Sequence, residues 1–418
     1  MTTGTGLQSL QAVVVCHECD LVHRRIPVIR GHKAGCRRCG ATLYSTASRS
    51  FDRPLALALS GLILFAVANL CPFLTFEMQG RAQTNNLISG AIEFWQAGFG
   101  ELALLVFLAS IGLPLISLIL IVYVLIPSSF RTVPWKAALA TRLFVLLRPW
   151  AMMEVYLLGV LVAIVKLMDF AEITLEPGFY AFVVLIVTVT AANATLHPET
   201  LWQLIGSGTD DPASASSPDA LIGCHECSHV SNVHHVQHGE RCSRCEARLH
   251  HRKPNSIARS WALLVAAIIL YIPANLYPIM TVISFGKGAP DTILSGVIHL
   301  MEADQWPIAL LVFFASIFVP MLKIAMIAFL LISVQIGSTW RPKERTIAYR
   351  LTEIFGRWSM IDIFMISILV ALVKLGSIAT IEAGPGAVAF AAVVILTMVS
   401  AMSFDPRLIW DKVERKND

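Results

Sequence analysis

Charge is scarce in this sequence: 14% of its 418 residues are Asp, Glu, Lys or Arg, where a soluble domain carries about a quarter. Four stretches, Pro54 to Phe76, Leu102 to Phe130, Ser260 to Gly286 and Ala383 to Phe404, contain none. A core helix of a soluble protein is rarely charge-free over such a length, and about 20 apolar residues match the hydrocarbon thickness of a bilayer. With 56% hydrophobic residues and a mean hydropathy of +0.68, the excess apolar surface must face lipid. The chain spans a membrane.

Other absences narrow the reading further. Residues 1–15 lack the basic region, apolar run and small-residue cleavage site of a secretory leader. The first cysteine pair is therefore expected in the cytoplasm, where disulfides are disfavoured and paired thiols hold metals. No Walker phosphate loop occurs, so any ATP is used by another protein. The formal net charge of +4 does not point to nucleic acid, because the basic residues gather in loops beside the apolar segments.

Eight spans are expected, at about 54–76, 102–126, 150–169, 178–197, 260–282, 306–332, 358–376 and 384–403. Orientation follows from Lys and Arg. The segment before span one is rich in arginine, from Arg24 to Arg53. The loop before span three holds Arg131, Lys136, Arg142 and Arg148, and the loop before span seven holds Arg341, Lys343, Arg345, Arg350 and Arg357. The loops on the other side hold Arg81, Lys287 and the acids Asp169, Glu172 and Glu176. Both termini are expected in the cytoplasm.

The chain repeats itself. Ala68-Asn69-Leu70-Cys71-Pro72 returns as Ala274-Asn275-Leu276-Tyr277-Pro278, and the block from Val106 to Pro114 returns from Val312 to Pro320. Trp150, Met152, Glu154 and Lys166 return as Trp358, Met360, Asp362 and Lys374, and Pro198 and Trp202 as Pro406 and Trp410. The fold class is thus an all-α polytopic membrane protein of two tandem four-helix units, each preceded by a small cytoplasmic ribbon. The expected boundaries are ribbon 1 at 1–50, unit 1 at 51–205, a Gly/Ser/Pro-rich linker at 206–220, ribbon 2 at 221–252, unit 2 at 253–411 and a tail at 412–418.

Eight of the nine cysteines come in Cys-x-x-Cys pairs. Cys16 and Cys19 precede Cys36 and Cys39 by a sixteen-residue interval, and Cys224 and Cys227 precede Cys242 and Cys245 by fourteen. Two such knuckles close one tetrahedral four-thiolate site, which suits Zn²⁺, an ion that imposes no geometry of its own. Disulfides and a rubredoxin-type iron site are the competing readings. A closed site leaves no open position for a substrate, so zinc hydrolysis is not implied. His17 and His225 are bystanders, Gly35 and Gly40 are expected at tight turns, and Cys71 is a small core residue.

An ionisable group inside a span suggests function by default. Lys323 falls near the middle of span six, and its repeat counterpart is Ser117. It can hold a lipid phosphate, pair with a carboxylate or change protonation; the bland alternative is a structural ion pair or a snorkelling lysine. Asp169 is a candidate partner, replaced by Ser377 in the second copy, and Ser316 and Thr397 are candidate neighbours. Glu154, Lys166, Asp362 and Lys374 occur in both copies, which argues for a structural role.

These blocks resemble the paraquat-inducible protein A (PqiA) family over nearly the whole chain. The matching motifs are CHECDLV at Cys16–Val22, YIPANLYPIM at Tyr271–Met280, DTILSGVI at Asp291–Ile298, FGRWSMIDIF at Phe355–Phe364 and SAMSFDPRLIWD at Ser400–Asp411. The second copy is more similar to PqiA than to its relative LetA. The resemblance implies a Gram-negative inner-membrane protein that works with a periplasmic MCE-domain tunnel protein of PqiB type. It implies handling of phospholipid for envelope maintenance, and no enzymatic activity. It also implies a transport role for a polar pocket in the second half, where Lys323 stands in the corresponding block, with Asp169 and Thr397 carried alongside. A scaffold that only anchors the MCE partner, and a stress-linked membrane redox protein, are the alternatives. Metal analysis discriminates: zinc in the ribbons would exclude electron transfer through them, and iron would revive the redox reading.

Overall fold

The computed structural model describes residues 13–26, 28–29, 32–45, 51–78, 80–129, 132, 134–168, 172–196, 201–202, 205–206, 221–232, 241–284, 287–302, 304–373 and 379–414. Asp169, Lys374 and all of the linker after Gly206 lie outside these residues.

Ribbon 1 consists of two short hairpins, β1 (Val13–Val15) with β2 (Val22–Arg24) and β3 (Lys33–Gly35) with β4 (Thr42–Ser45). Unit 1 follows. Helix α1 (Asp52–Leu70) leads into the strands β5 (Leu74–Met78) and β6 (Arg81–Asn85) and the short helix α2 (Ser89–Gln96). Then come α3 (Gly100–Phe107), a π turn at Leu108–Gly112 and α4 (Leu113–Ser129). Helix α5 (Ala137–Leu147) breaks in a 3₁₀ turn at Arg148–Trp150 before α6 (Met153–Leu167). Strand β7 (Glu172–Leu175) and α7 (Pro177–Thr195) close the unit.

The second half repeats this order. Ribbon 2 contributes β8 (Leu221–Gly223) and β9 (Val230–Asn232). Unit 2 runs through α8 (Ser256–Leu276), β10 (Met280–Ser284), β11 (Lys287–Asp291) and α9 (Ile293–Glu302). Next are α10 (Trp306–Phe313), a π turn at Phe314–Phe318 and α11 (Val319–Gln335). Helix α12 (Pro342–Gly356) breaks at Arg357–Met360 before α13 (Ile361–Leu372), and β12 (Ala379–Ala383), α14 (Pro385–Ser403) and the short α15 (Asp411–Glu414) end the chain. The π turns and the helix breaks sit at matching places in both halves, so they are properties of the repeated unit.

Among the described residues, eight helical stretches are long and apolar enough to cross a membrane: 52–70, 100–127, 137–167, 177–195, 256–276, 306–335, 342–372 and 385–403. The expected eight spans are borne out. The third and seventh begin well before the expected 150 and 358, because α5 and α12 are helical although they carry Arg142, Lys343, Arg345 and Arg350, which are expected in loops. Their charges lie on amphipathic helices that lead into the apolar segments α6 and α13.

Each unit also carries a three-stranded antiparallel sheet at the end away from the ribbons, ordered β6-β5-β7 and β11-β10-β12. The strands flanking spans one and three join there, as in the pairs Leu74↔Asn85 and Leu74↔Leu175. The chain leaves α1 where Asn69 Nδ2 donates back to Phe65 O at 2.8 Å and Pro72 cannot continue the helix; Asn275 and Pro278 repeat this after α8, at 2.8 Å to Tyr271 O. The freed Pro72 carbonyl then accepts Gly178 N at 2.9 Å, and the Pro278 carbonyl accepts Gly386 N at 3.0 Å. Both glycines lie so close to these carbonyls that a side chain would collide with them.

The two units meet on α6 and α13. All twelve residues of α13 are buried, making it the centre of the molecule. A Cβ on Gly159 of α6 would stand 2.9 Å from Phe364 Cβ and 3.1 Å from Ile361 O, tighter than real contacts allow. Tyr156 stacks edge-on against Phe364 one turn away, ring centroids 5.3 Å apart. Gly159→Leu is therefore expected to destabilise the union of the halves by about 1–3 kcal/mol or more, and Gly159→Ala by less. Unfolding midpoints of the purified protein in detergent check this; an unchanged midpoint for the leucine variant contradicts the close crossing.

Candidate metal centres and membrane site

The four knuckles share one backbone design. In each, the residue after the second cysteine takes a left-handed conformation: Asp20 (φ 56°), Gly40 (φ 75°), Ser228 (φ 56°) and Glu246 (φ 58°). Its amide donates back to the carbonyl of the first cysteine, as in Asp20 N to Cys16 O at 2.9 Å and Gly40 N to Cys36 O at 2.9 Å. Gly40 thus makes the tight turn expected of it. Gly35 does not: it ends strand β3 at a register shift, with no positive φ.

This design brings the sulfurs together. Cys16, Cys19, Cys36 and Cys39 are buried with all four Sγ atoms within 4.8 Å of one another, and so are Cys224, Cys227, Cys242 and Cys245. The closest pairs are 3.5 Å apart in the first set, and 3.5 and 3.6 Å in the second. A disulfide needs about 2.05 Å, so these are not bonded pairs. A tetrahedron of thiolates at about 2.3 Å from a zinc ion has sulfurs roughly 3.8 Å apart, so the two sets fit one metal ion each. Four buried thiolates repel one another without a cation between them, which is a further reason to expect one. Neither neighbouring histidine joins a set: His17 is 56% exposed beside Glu18, and His225 contacts Arg407. Burial, with Arg407 beside it, pushes His225 down to about 4.

The ribbons are crossed over the units. The apolar surroundings of the first cysteine set continue into unit 2, through Leu264, Leu330, Tyr349, Phe404 and Trp410. Those of the second set include Trp202, with Ala138 and Ile205 against them, which belong to unit 1. Charge fastens the crossing. Arg350 of α12 binds the Glu18 carboxylate through Nε at 2.7 and 2.8 Å and donates to the Cys39 carbonyl at 3.0 Å. Asp20 of ribbon 1 accepts from Arg252 and, at 3.1 Å, from Arg407; Arg252 also holds Asp411 at 2.5 Å. Behind them Asp405 accepts from Arg407 Nε at 3.1 Å and Lys253 N at 3.0 Å. Burial opposes the Asp405 charge, but the Arg407 guanidinium and these amides outweigh it and hold the carboxyl below its usual range.

Glu18 is buried, so removing its partner leaves an uncompensated charge. Arg350→Ala is expected to weaken the docking of ribbon 1 by about 2–4 kcal/mol, and Arg350→Ala with Glu18→Gln by clearly less than the sum of the two single changes. A double-mutant cycle on unfolding or on protease sensitivity of ribbon 1 measures the coupling; additivity contradicts the pairing.

Lys323 lies deep in span six, 2% exposed. Its ammonium donates to the Gly356 carbonyl at 3.4 Å, at the break between α12 and α13. Among the described residues no carboxylate forms an ion pair with it. A cleft of about 390 Å³ adjoins this break, lined by Arg148 of unit 1 and by Arg350, Glu353, Gly356, Met398 and Met402 of unit 2. The other candidates sit nearby but not as one cluster. Thr397 is buried and donates to Val394 O at 2.9 Å, and Ser316 donates to Val312 O at 2.6 Å while lying beside Asp362. Asp362 is buried with one oxygen unpartnered, and Lys166 of α6 lies within its electrostatic reach without forming an ion pair with it. Glu154, by contrast, is exposed and accepts from Thr190 at 3.4 Å. The repeated carboxylates therefore occupy different surroundings.

The geometry defines a multi-pass membrane protein of two repeated units, each bearing a closed four-thiolate metal-binding motif. The chain belongs to the Paraquat-inducible protein A family, which it matches twice, over residues 51–206 and 257–414. It is 35% identical over 405 residues to the "Intermembrane transport protein PqiA" of Escherichia coli (strain K12), covering 96% of this chain and 95% of that protein. It is 32% identical over 413 residues to the "Lipophilic envelope-spanning tunnel protein A" of the same strain, covering 96% and 92%. A "Probable intermembrane transport protein" of Haemophilus influenzae is 28% identical over 406 residues, covering 97% of each. No solved structure matches the chain.

Proposed function

We propose that this chain is the inner-membrane subunit of an intermembrane transport system, loading phospholipid into a periplasmic MCE-domain tunnel or receiving it from one. Zinc fills both ribbons and braces the cytoplasmic face; both termini are cytoplasmic. The chain carries lipid and does no covalent chemistry. One observation carries the reading: a buried lysine in mid-span, Lys323, has a lone carbonyl as its described hydrogen-bond partner and lies behind Gly356, which lines a cleft between the two units. A charge is expensive there unless something uses it, and a lipid phosphate is the anion at hand. The names of the relatives as intermembrane transport proteins and the basic character of the ribbon-side loops support the same reading. The outer sheets then lie in the periplasm, where the partner is.

A photocrosslinking side chain at Met398, which lines the cleft beside Gly356, tests this in living cells. Capture of phospholipid is the expected result. Capture of protein alone would favour a scaffold that anchors the partner.

A further inference from the structure

Unit 1 contains a second cleft of about 240 Å³, in the position that the cleft beside Lys323 holds in unit 2. The repeat makes this explicit. Helices α7 and α14 both begin Pro-Gly and run nineteen residues, so Thr190, Asn193 and Ala194 of the first cleft correspond to Met398, Ala401 and Met402 of the second. Aligning Trp150 with Trp358 pairs Phe144 with Thr352 and Arg148 with Gly356, again one lining residue from each cleft.

The alignment also shows an exchange. In unit 2 the cation comes from α11, as Lys323, and the helix break opposite carries a glycine. In unit 1 the α4 position is Ser117 and the break carries Arg148, and both line the cleft. A Cβ on Gly356 would lie 3.7 Å from Lys323 Nζ, so a large side chain there would compete with the lysine for space. Each unit thus carries one cation near its cleft, from α11 in unit 2 and from the helix break in unit 1. Counting aligned positions alone hides this, because Lys323 faces a serine in the repeat.

We infer that the unit 1 cleft is a second headgroup site, for a zwitterionic, amine-bearing phospholipid, with Arg148 on the phosphate and Glu154 on the ammonium. The inference rests on the proposed lipid-carrying function. Polar groups already wait there: Ser117 Oγ is buried without a partner, and so is Asn193 Oδ1. Thr190 holds the Glu154 carboxylate at 3.4 Å in the same cleft. The volume is below the ~300–1,000 Å³ of a pocket that encloses a whole small molecule, so it takes a headgroup and leaves the acyl chains in the bilayer. Arg148 lines both clefts, which places it between the two headgroup positions.

The test uses the purified full chain in vesicles of phosphatidylethanolamine and phosphatidylglycerol, with a photocrosslinking side chain at Ala194. Val187, 64% exposed, serves as the bilayer background and Met398 as the unit 2 comparator. Capture at 194 is expected to exceed that at 187 by about tenfold and to favour phosphatidylethanolamine over its share in the vesicle. Arg148→Gln is expected to bring it down to background, and Glu154→Gln to remove the preference for the amine. The double change Ser117→Lys with Arg148→Gly, which copies unit 2 into unit 1, is expected to restore capture where Arg148→Gly alone does not. The unfolding midpoint of each variant in detergent, within a few degrees of the parent's, confirms that it is folded. Capture at 194 equal to that at 187, or unmoved by Arg148→Gln, or unrestored in the folded double variant, overturns the inference. Lipid at 398 without lipid at 194 overturns it while leaving the transport reading intact; lipid at neither position removes the transport reading as well.

Discussion

Exchanging Cys36 and Cys39 for serine is expected to halve the bound metal, from two ions per chain to one, and to unfold ribbon 1 while both membrane units stay folded. A structural zinc of this type supplies about 10–16 kcal/mol of folding free energy, far more than two hairpins of three or four residues can replace. Because the ribbons are crossed, the damage should appear in the opposite half. Loss of ribbon 1 uncovers Tyr349, Phe404 and Trp410 and leaves Arg350 without Glu18. Hydrogen exchange is therefore expected to rise over 342–356 and 404–411. The matching change at Cys242 and Cys245 should instead loosen the chain around Trp202 and the start of α5, which pack on ribbon 2. Elemental analysis and exchange mass spectrometry read both effects. Damage confined to the unit that follows each ribbon in sequence contradicts the crossing.

Lys323→Met is expected to reduce lipid transfer by about tenfold to a hundredfold while leaving fold and metal content intact. Methionine keeps the length and removes the charge, so the lost quantity is a charge-assisted hydrogen bond to phosphate, about 1.5–3 kcal/mol. The protein should become slightly more stable, since a buried ammonium held by one carbonyl at 3.4 Å is poorly compensated. A lysine that served packing alone would show the reverse, lower stability with transfer unchanged. Restoration of envelope integrity in cells that lack the native protein gives the readout for transfer, and the unfolding midpoint gives the readout for stability.

Much of this architecture was legible because hydropathy and metal ligation act locally. Spans announce themselves by uncharged length, and a Cys-x-x-Cys pair must bend its own backbone whatever surrounds it, so the two four-cysteine clusters and all eight spans could be read from the sequence. Basic residues misled in one respect. Arg142 and Arg345 read as loop, yet both lie on helices, and Arg345 is buried where it donates to the Ser338 carbonyl at 2.7 Å. A charge inside an amphipathic helix that meets other protein carries no hydropathy signal. The outer sheets were hidden for a different reason. Strands β7 and β12 are four and five residues long and pair with partners far away in the chain, which no local pattern reports. The crossing of the ribbons and the Arg148 exchange are long-range facts of the same kind. The repeat, read at the level of cleft positions rather than aligned letters, was the signal that could have found the second.

Lipid transport by this chain requires an amphiphile to enter the bundle beside residue 323. The most direct measurement is a structure of the full chain in a lipid nanodisc of phosphatidylethanolamine and phosphatidylglycerol. It should show a headgroup phosphate within hydrogen-bond distance of Lys323 Nζ, with acyl density leaving between Met398 and the helix break at Gly356. An interior packed dry around the lysine, with no opening toward the bilayer, would contradict it.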